Sequence, residues 1–170
     1  NVINTNDRVA MGYPTVPEII YGFGPSIKFK NLDFSFFFQG AARTSLMMSG
    51  FHPFVGNSNT ARRGVLDFVA ENCWTTTNPN EFAKYPRLTS KDNLNNNQNS
   101  SYWLRDASFL KLKNAEIGYT IKNMRFYISG SNLLTISSFK LWDPEMGGGS
   151  GMKYPTQRTI NFGFQMTINN

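Results

Sequence analysis

The side chains best suited to covalent chemistry are scarce in this chain. His52 is the only histidine and Cys73 the only cysteine. A nucleophile needs a base within hydrogen-bond reach, and a structural zinc site needs several thiolate or imidazole ligands. His52 sits beside Pro53 with no evident serine or carboxylate partner, and a lone Cys73 can form no intrachain disulfide. Neither an enzyme, nor a metal site, nor any other cofactor is expected. What remains is recognition chemistry. Trp74, Trp103 and Trp142 could stack their faces on sugar rings while nearby amides bond hydroxyls. The same indoles could instead pack loops together or mark a membrane interface. Trp103, at the start of a strand, fits that second role better, which leaves Trp74 and Trp142 as candidate substrate-binding residues.

The formal charge is +6, yet the basic residues Lys28, Lys30, Arg43, Arg62, Arg63, Lys111 and Lys113 are scattered. They form no basic helix and no stacking platform, so a nucleic-acid partner is not expected. Attraction to anionic lipid headgroups, or simple solubility, accounts for the charge. Aromatic residues make up 15% of the chain and charged residues only 16%, with 15 phenylalanines. No stretch approaches the ~20 apolar residues of a transmembrane helix.

Large apolar groups alternate with small polar ones, the pattern of a sheet with one apolar and one wet face. Five segments carry it. In Ile19 to Lys30, Tyr21, Phe23, Ile27 and Phe29 oppose Gly22, Gly24, Ser26 and Lys28. In Leu32 to Ala42, Leu32, Phe34, Phe36 and Phe38 oppose Asp33, Ser35 and Gln39, with Phe37 intruding on the polar side. The third runs from about Trp103 to Ile121. Its parity changes between Leu110/Leu112 and Ala115/Ile117/Tyr119, which predicts a β-bulge near Lys113 and Asn114. The fourth is Arg125 to about Thr135 and the fifth Arg158 to Ile168.

Connections alternate in length. Lys30-Asn31 and Lys122-Asn123-Met124 are tight, whereas Arg43 to Tyr102 and Ile136 to Gln157 are long. Outer-membrane barrels have short periplasmic turns and long extracellular loops, so the tight turns are expected to face the periplasm. A strand such as 32–42 is about 36 Å long at ~3.3 Å per residue, and a ~40° tilt leaves roughly 28 Å of height. That suits a membrane band of ~25 Å better than the ~17–20 Å strands of a soluble sandwich. The spacing of Val65, Leu66, Phe68 and Val69 predicts one short loop helix within Ala61 to Asn72, capped by Asn59 or Thr60. The Asn-rich run 93–99 and the tract Gly147-Gly148-Gly149-Ser150-Gly151 read as mobile, solvated loop tips.

Four blocks carry a family resemblance. The first is Trp74-Thr75, Asn78-Pro79 and Tyr85-Pro86-Arg87-Leu88. The second is Ser101 and Trp103, then Asp106 to Asn114 and Ile117-Gly118-Tyr119. The third is Ser131-Asn132-Leu133-Leu134-Thr135 with Asp143-Pro144-Glu145, and the fourth Tyr154 to Thr159 with Phe162-Gly163-Phe164. In order and spacing they resemble the C-terminal region of SusC/RagA-like TonB-dependent receptors, over nearly the whole chain. The opening Val2-Ile3-Asn4 with Asp7-Arg8 is similar to the family too, but the Asp/Asn/Gly-rich, calcium-loop-like stretch that often precedes it there is absent, so no metal site is claimed and Asp7 reads as a turn residue.

The resemblance implies an all-β fold: an antiparallel transmembrane β-barrel fragment, about the last five strands of a barrel of some 22 strands. Residues 1–170 would be the C-terminal part of the barrel. A plug domain, a TonB box and the earlier strands would precede Asn1, a reading that agrees with the missing initiator Met and signal peptide. The implied place is the cell outer membrane, in contact with lipid. The implied partners are a SusD-like surface lipoprotein and the TonB complex, and the implied activity is import of an oligosaccharide or peptide. A passive outer-membrane porin and a soluble β-sandwich carbohydrate-binding module are the competing readings. The last strand carries an assembly expectation: Gly163, Phe164, Met166 and Ile168 would form the barrel-closing strand, whose backbone pairs with the first strand while alternate side chains set register. Gly163 would permit close approach on the inner face, with Phe164, Met166 and Ile168 towards lipid. The ending Asn169-Asn170 departs from the terminal aromatic usual in such signals.

Overall fold

The structure is a computed structural model that describes residues 5–49, 66–89, 96 and 98–168. It contains β1 (Ile19–Phe23), β2 (Ser26–Phe29), β3 (Leu32–Ala42), β4 (Ser45–Met47), α1 (Asp67–Glu71), β5 (Leu104–Asp106), β6 (Phe109–Ile121), β7 (Met124–Ser137) and β8 (Thr159–Met166). The main sheet is an antiparallel meander in which β3, β6, β7 and β8 follow one another, with β1 and β2 together on the far side of β3.

The first expected strand is therefore present but interrupted. Phe23 pairs with Phe38 and Ser26 with Ser35, one unbroken register across the gap. Pro25 has no N–H to give the ladder, although its carbonyl still accepts from Phe36 N at 3.3 Å. A Cβ on Gly24 would collide with the Phe36 carbonyl, so glycine is what lets the strand lie this close.

The predicted bulge lies where the parity changes. Phe37 pairs with Asn114 but Phe38 with Leu112, leaving Lys113 unpaired with β3. On the other side, Leu112 pairs with Leu134 and Asn114 with Ser131, so Asn132 and Leu133 together face Lys113. Asn132 takes φ 53° to make room and donates its side-chain N–H to Gln157 O at 3.0 Å. Without this step the apolar residues of β6 and β7 would change face halfway along.

With it, one face stays apolar throughout. Ile27, Phe34, Ile117, Ile128 and Phe162 lie in one cross-strand row, and Phe29, Leu32, Tyr119, Phe126 and Phe164 in the next. These side chains are open: Phe34 is 38% exposed, Ile117 46%, Ile128 45% and Phe162 79%. A water-soluble sandwich would bury such rows, so the sheet is a piece of a membrane barrel wall with its apolar face outward. Among the described residues no helix is long and apolar enough to cross a membrane, a fact silent about barrels.

Both tight turns lie at one end. Lys30 and Lys122 each adopt φ 53°, and Asn31 O and Asn123 O accept from Thr120 N and Thr167 N at 2.8 and 2.9 Å. At the other end the β3 and β6 arms extend beyond the sheet as the β4–β5 ladder, which the sequence pattern did not disclose. Around it lies the buried core: Leu46, Met48, Val69, Cys73, Tyr85, Trp103, Ala107 and Phe139. The loop helix is five residues long and begins after Leu66, whose side chain caps nothing. The expected caps Asn59 and Thr60, like His52, Val65 and Asn169-Asn170, lie outside the described residues.

Candidate functional site

The inner face of the sheet is built from the polar positions opposite the apolar rows. Asp33, Gly118, Tyr127 and Gly163 form one row, and Ser35, Glu116, Ser129 and Asn161 the next. Arg125, one row nearer the tight turns, reaches across both. Its Nε donates to one Asp33 oxygen at 3.0 Å while Nη2 donates to the other oxygen. Nη2 also donates to Glu116 at 2.6 Å. The planar guanidinium suits this two-carboxylate grip in a way an ammonium would not. Two glycines make room for it. A Cβ on Gly118 would stand 2.5 Å from Arg125 Nη2, and one on Gly163 would run into the Tyr127 ring. Tyr127 lies flat over Gly163 with the Arg125 cation 4.9 Å from its ring centre. On the inner face the group that comes close to Gly163 is the Tyr127 ring, not a neighbouring backbone.

At the long-loop end a second charged group joins the wall to a connection. Lys111, on the polar side between Gln39 and Thr135, is 0% exposed. Its ammonium donates to Asp143 and to Glu145, and Lys113 donates to Glu145 at 2.9 Å. Asp143 also caps the short helical turn Pro144–Met146 by accepting from Glu145 N at 3.1 Å. Burial by itself pushes the Asp143 carboxyl up. The Lys111 ammonium, the Glu145 N–H and the Thr156 hydroxyl outweigh it and hold the group below the usual carboxylate range.

The candidate tryptophans take different places. Trp142 is half-buried against the loop core, edge-on to Phe139 at 4.7 Å, with its indole N–H donating to Gly147 O at 2.9 Å. Trp74 is half-buried and tied through its backbone N–H to Tyr85 O at 3.1 Å. Trp103 is buried, its indole N–H donating to Asn96 O at 2.8 Å, as its packing role requires. Beside it the Tyr102 hydroxyl donates to Ala83 O at 3.2 Å, and burial pushes that phenol up to about 12.

The glycine tract is not a free loop tip. Gly149 N donates to Met47 O at 2.8 Å, a Cβ on Gly148 would meet the Met47 backbone at 2.6 Å, and one on Gly151 would meet the Trp142 ring at 2.5 Å. Glycines are there because the tract packs against β4 and an indole. Composition suggested mobility; close approach is the reason. In the last strand Phe164 and Met166 face outward, paired with Phe126 and Met124. Ile168 lies past the end of β8 and is 78% exposed. Among the described residues no group of three His, Cys, Asp or Glu side chains could hold a metal ion.

Sequence spacing could not have revealed either charged cluster. Lys111 and Asp143 are joined across 32 residues and Arg125 and Asp33 across 92. The one available signal was charge on the polar parity of a strand otherwise apolar on its outer side.

No family model matches the chain. Over 98% of its length it is 32% identical to TonB-dependent receptor P26 of Formosa agariphila, covering 18% of that protein. It is 26% identical to TonB-dependent receptor SusC of Bacteroides thetaiotaomicron, with 96% of the chain and 16% of SusC aligned. In fold it is similar to the RagAB peptide importer in its open-open state, with TM-score 0.77, 22% identity, and coverage of 98% of this chain and 19% of that one. The closed-closed state gives TM-score 0.74 at 24% identity, covering 97% and 19%. The chain spans less than a fifth of the length of the relatives it matches. The sequence likeness, the uncovered apolar rows and the paired charges on the opposite face all match a segment of the β-barrel of SusC/RagA-like TonB-dependent receptors.

Proposed function

We propose that this segment is the C-terminal part of an outer-membrane importer, a transporter and not an enzyme, which takes up oligosaccharides or peptides under TonB drive. In this reading the plug domain, TonB box and remaining strands belong to the rest of the receptor. The tight turns Lys30-Asn31 and Lys122-Asn123 face the periplasm. The β4–β5 ladder and the loop core stand at the extracellular mouth, where a SusD-like lipoprotein would deliver substrate. Trp74 and Trp142 remain the aromatic candidates for contact with it.

One observation carries the reading. The apolar face of the sheet is bare while the polar face is furnished with paired charges and a folded-back connection, the arrangement of a wall between lipid and a wet lumen. The relatives named SusC and RagAB supply the transport class, and RagAB is a peptide importer. Uptake of labelled oligosaccharide and of labelled peptide should be measured in cells carrying the intact receptor, with and without TonB. Energised uptake of one of them that vanishes without TonB, at unchanged receptor level, is the expected result. Uptake that persists without TonB would identify a passive porin.

A further inference from the structure

The connection between β7 and β8 is long, glycine-rich and polar, a composition that ordinarily gives a mobile loop. Here it is held at several places along its length. Phe139 is buried in the loop core, Gly149 bonds to Met47, and Asp143 and Glu145 close on Lys111. Of these, the lysine contact is the demanding one. An ammonium with no exposed surface loses its hydration, and only charged oxygens in good geometry replace it. Neither carboxylate lies on the sheet; both come from the turn Asp143-Pro144-Glu145, so the lysine is satisfied only while that turn is down on the wall. Lys113 adds a second cation to Glu145, which leaves two ammonium groups facing two carboxylates.

We propose that Lys111 is a positioning residue. Its buried ammonium fastens the 138–158 connection onto the inner face of the wall, which makes this connection a fixed part of the pore rim and not a moving lid. The glycines at 147, 149 and 151, all at positive φ, then serve to fold the tract tightly against β4 and Trp142. The barrel reading supplies only the identification of this end as the mouth; the fastening is read from the connection itself, whether or not the receptor imports anything.

The test is limited trypsin digestion of the intact receptor in outer-membrane fractions, with cuts after the exposed Lys140 and Lys153 identified by mass. Heat-modifiable gel mobility reports the folded barrel in parallel. Lys111→Met keeps the side-chain length, leaves Asp143 without a cation and leaves Glu145 to Lys113 alone. It should raise both cuts by about tenfold or more, because cleavage of a transiently opened segment follows the population of its open form. Barrel mobility should stay unchanged, whereas a general folding role would lower it. The double variant Lys111→Met/Asp143→Asn, which removes the stranded charge and keeps a side-chain oxygen to cap Glu145 N, should return cutting towards the parent rate. Should Lys111→Met fail to reach the membrane, Glu145→Gln takes its place, with a smaller rise expected. Equal cutting in the parent and in a folded Lys111→Met or Glu145→Gln receptor would overturn the proposal. A parent connection cut as fast as the variant would do the same.

Discussion

The sheet and the loop core treat apolar side chains in opposite ways within one short chain. In the sheet, Phe34, Ile117, Ile128 and Phe162 stand open on the outer face. Beyond the last rungs, Leu46 and Met48 are 2% exposed and Val69 is 0% exposed. The boundary falls where β3 gives way to β4 and β5 to β6. The difference follows from the solvent each region meets. Against hydrocarbon an exposed isoleucine loses nothing, while an unpaired backbone group is expensive, so a ladder without gaps is the rule there. In water the balance reverses. Loops can leave backbone groups hydrated, and their stability must come from burying apolar surface at roughly 25 cal/mol per Å².

This contrast can be broken most severely on the outer face. Ile128→Lys places a charge in the middle of the apolar row at a cost of about 2–4 kcal/mol near mid-bilayer. Folded receptor in the outer membrane should fall steeply. Ser129→Lys, one residue along and beside Glu116 on the inner face, should assemble at the parent level. Similar levels for the two variants would show that the faces have been assigned the wrong way round.

A core substitution in the loops should have the complementary signature. Leu46→Ala removes packing from the buried cluster and costs about 2–3 kcal/mol. That loss should be confined to the water-facing region. Barrel insertion should persist while protection of residues 66–89 from proteolysis is reduced. Simultaneous loss of insertion would mean that the loop core and the wall fold as one unit.

The smallest effect concerns pH at the junction between the two regions. The Asp143 carboxyl is held below its usual range beside Lys111. A carboxyl with a depressed folded pKa contributes stability above its unfolded value, near ~3.9, and loses it as pH falls through the folded pKa. Hydrogen exchange at residues 143–151, corrected for intrinsic rates, should therefore be unchanged from pH 7 to about pH 5. It should accelerate only below about pH 4. A loosening centred near neutrality would implicate some other group.

Much of the wall was legible because its code is local. A strand period of two, a parity change at Lys113 and a pair of Lys-Asn turns all appear within a few residues of each other. The solvent reverses only the meaning of the code, apolar outward instead of inward, and strand length together with alternating connection length disclosed that. The loop region was read less well. The β4–β5 ladder leaves no mark in the sequence pattern, and the glycine tract reads there as a free tip. Each depends on contacts between segments far apart in the chain, for which no local period exists.

By itself, then, the sequence determined which residues make up the apolar face, where the sheet must carry an extra residue, and that the chain holds a single histidine and a single cysteine. Those properties follow from side-chain periodicity and residue inventory, and both are complete before the chain folds. Only the tertiary structure decided that Lys111 meets Asp143 and Glu145, that Arg125 bridges Asp33 and Glu116, and that Tyr127 covers Gly163. Such pairings join residues whose sequence separation carries no information about distance. Long-range closure fixes them, once the strands have registered and the connections have found the surface against which they can pack.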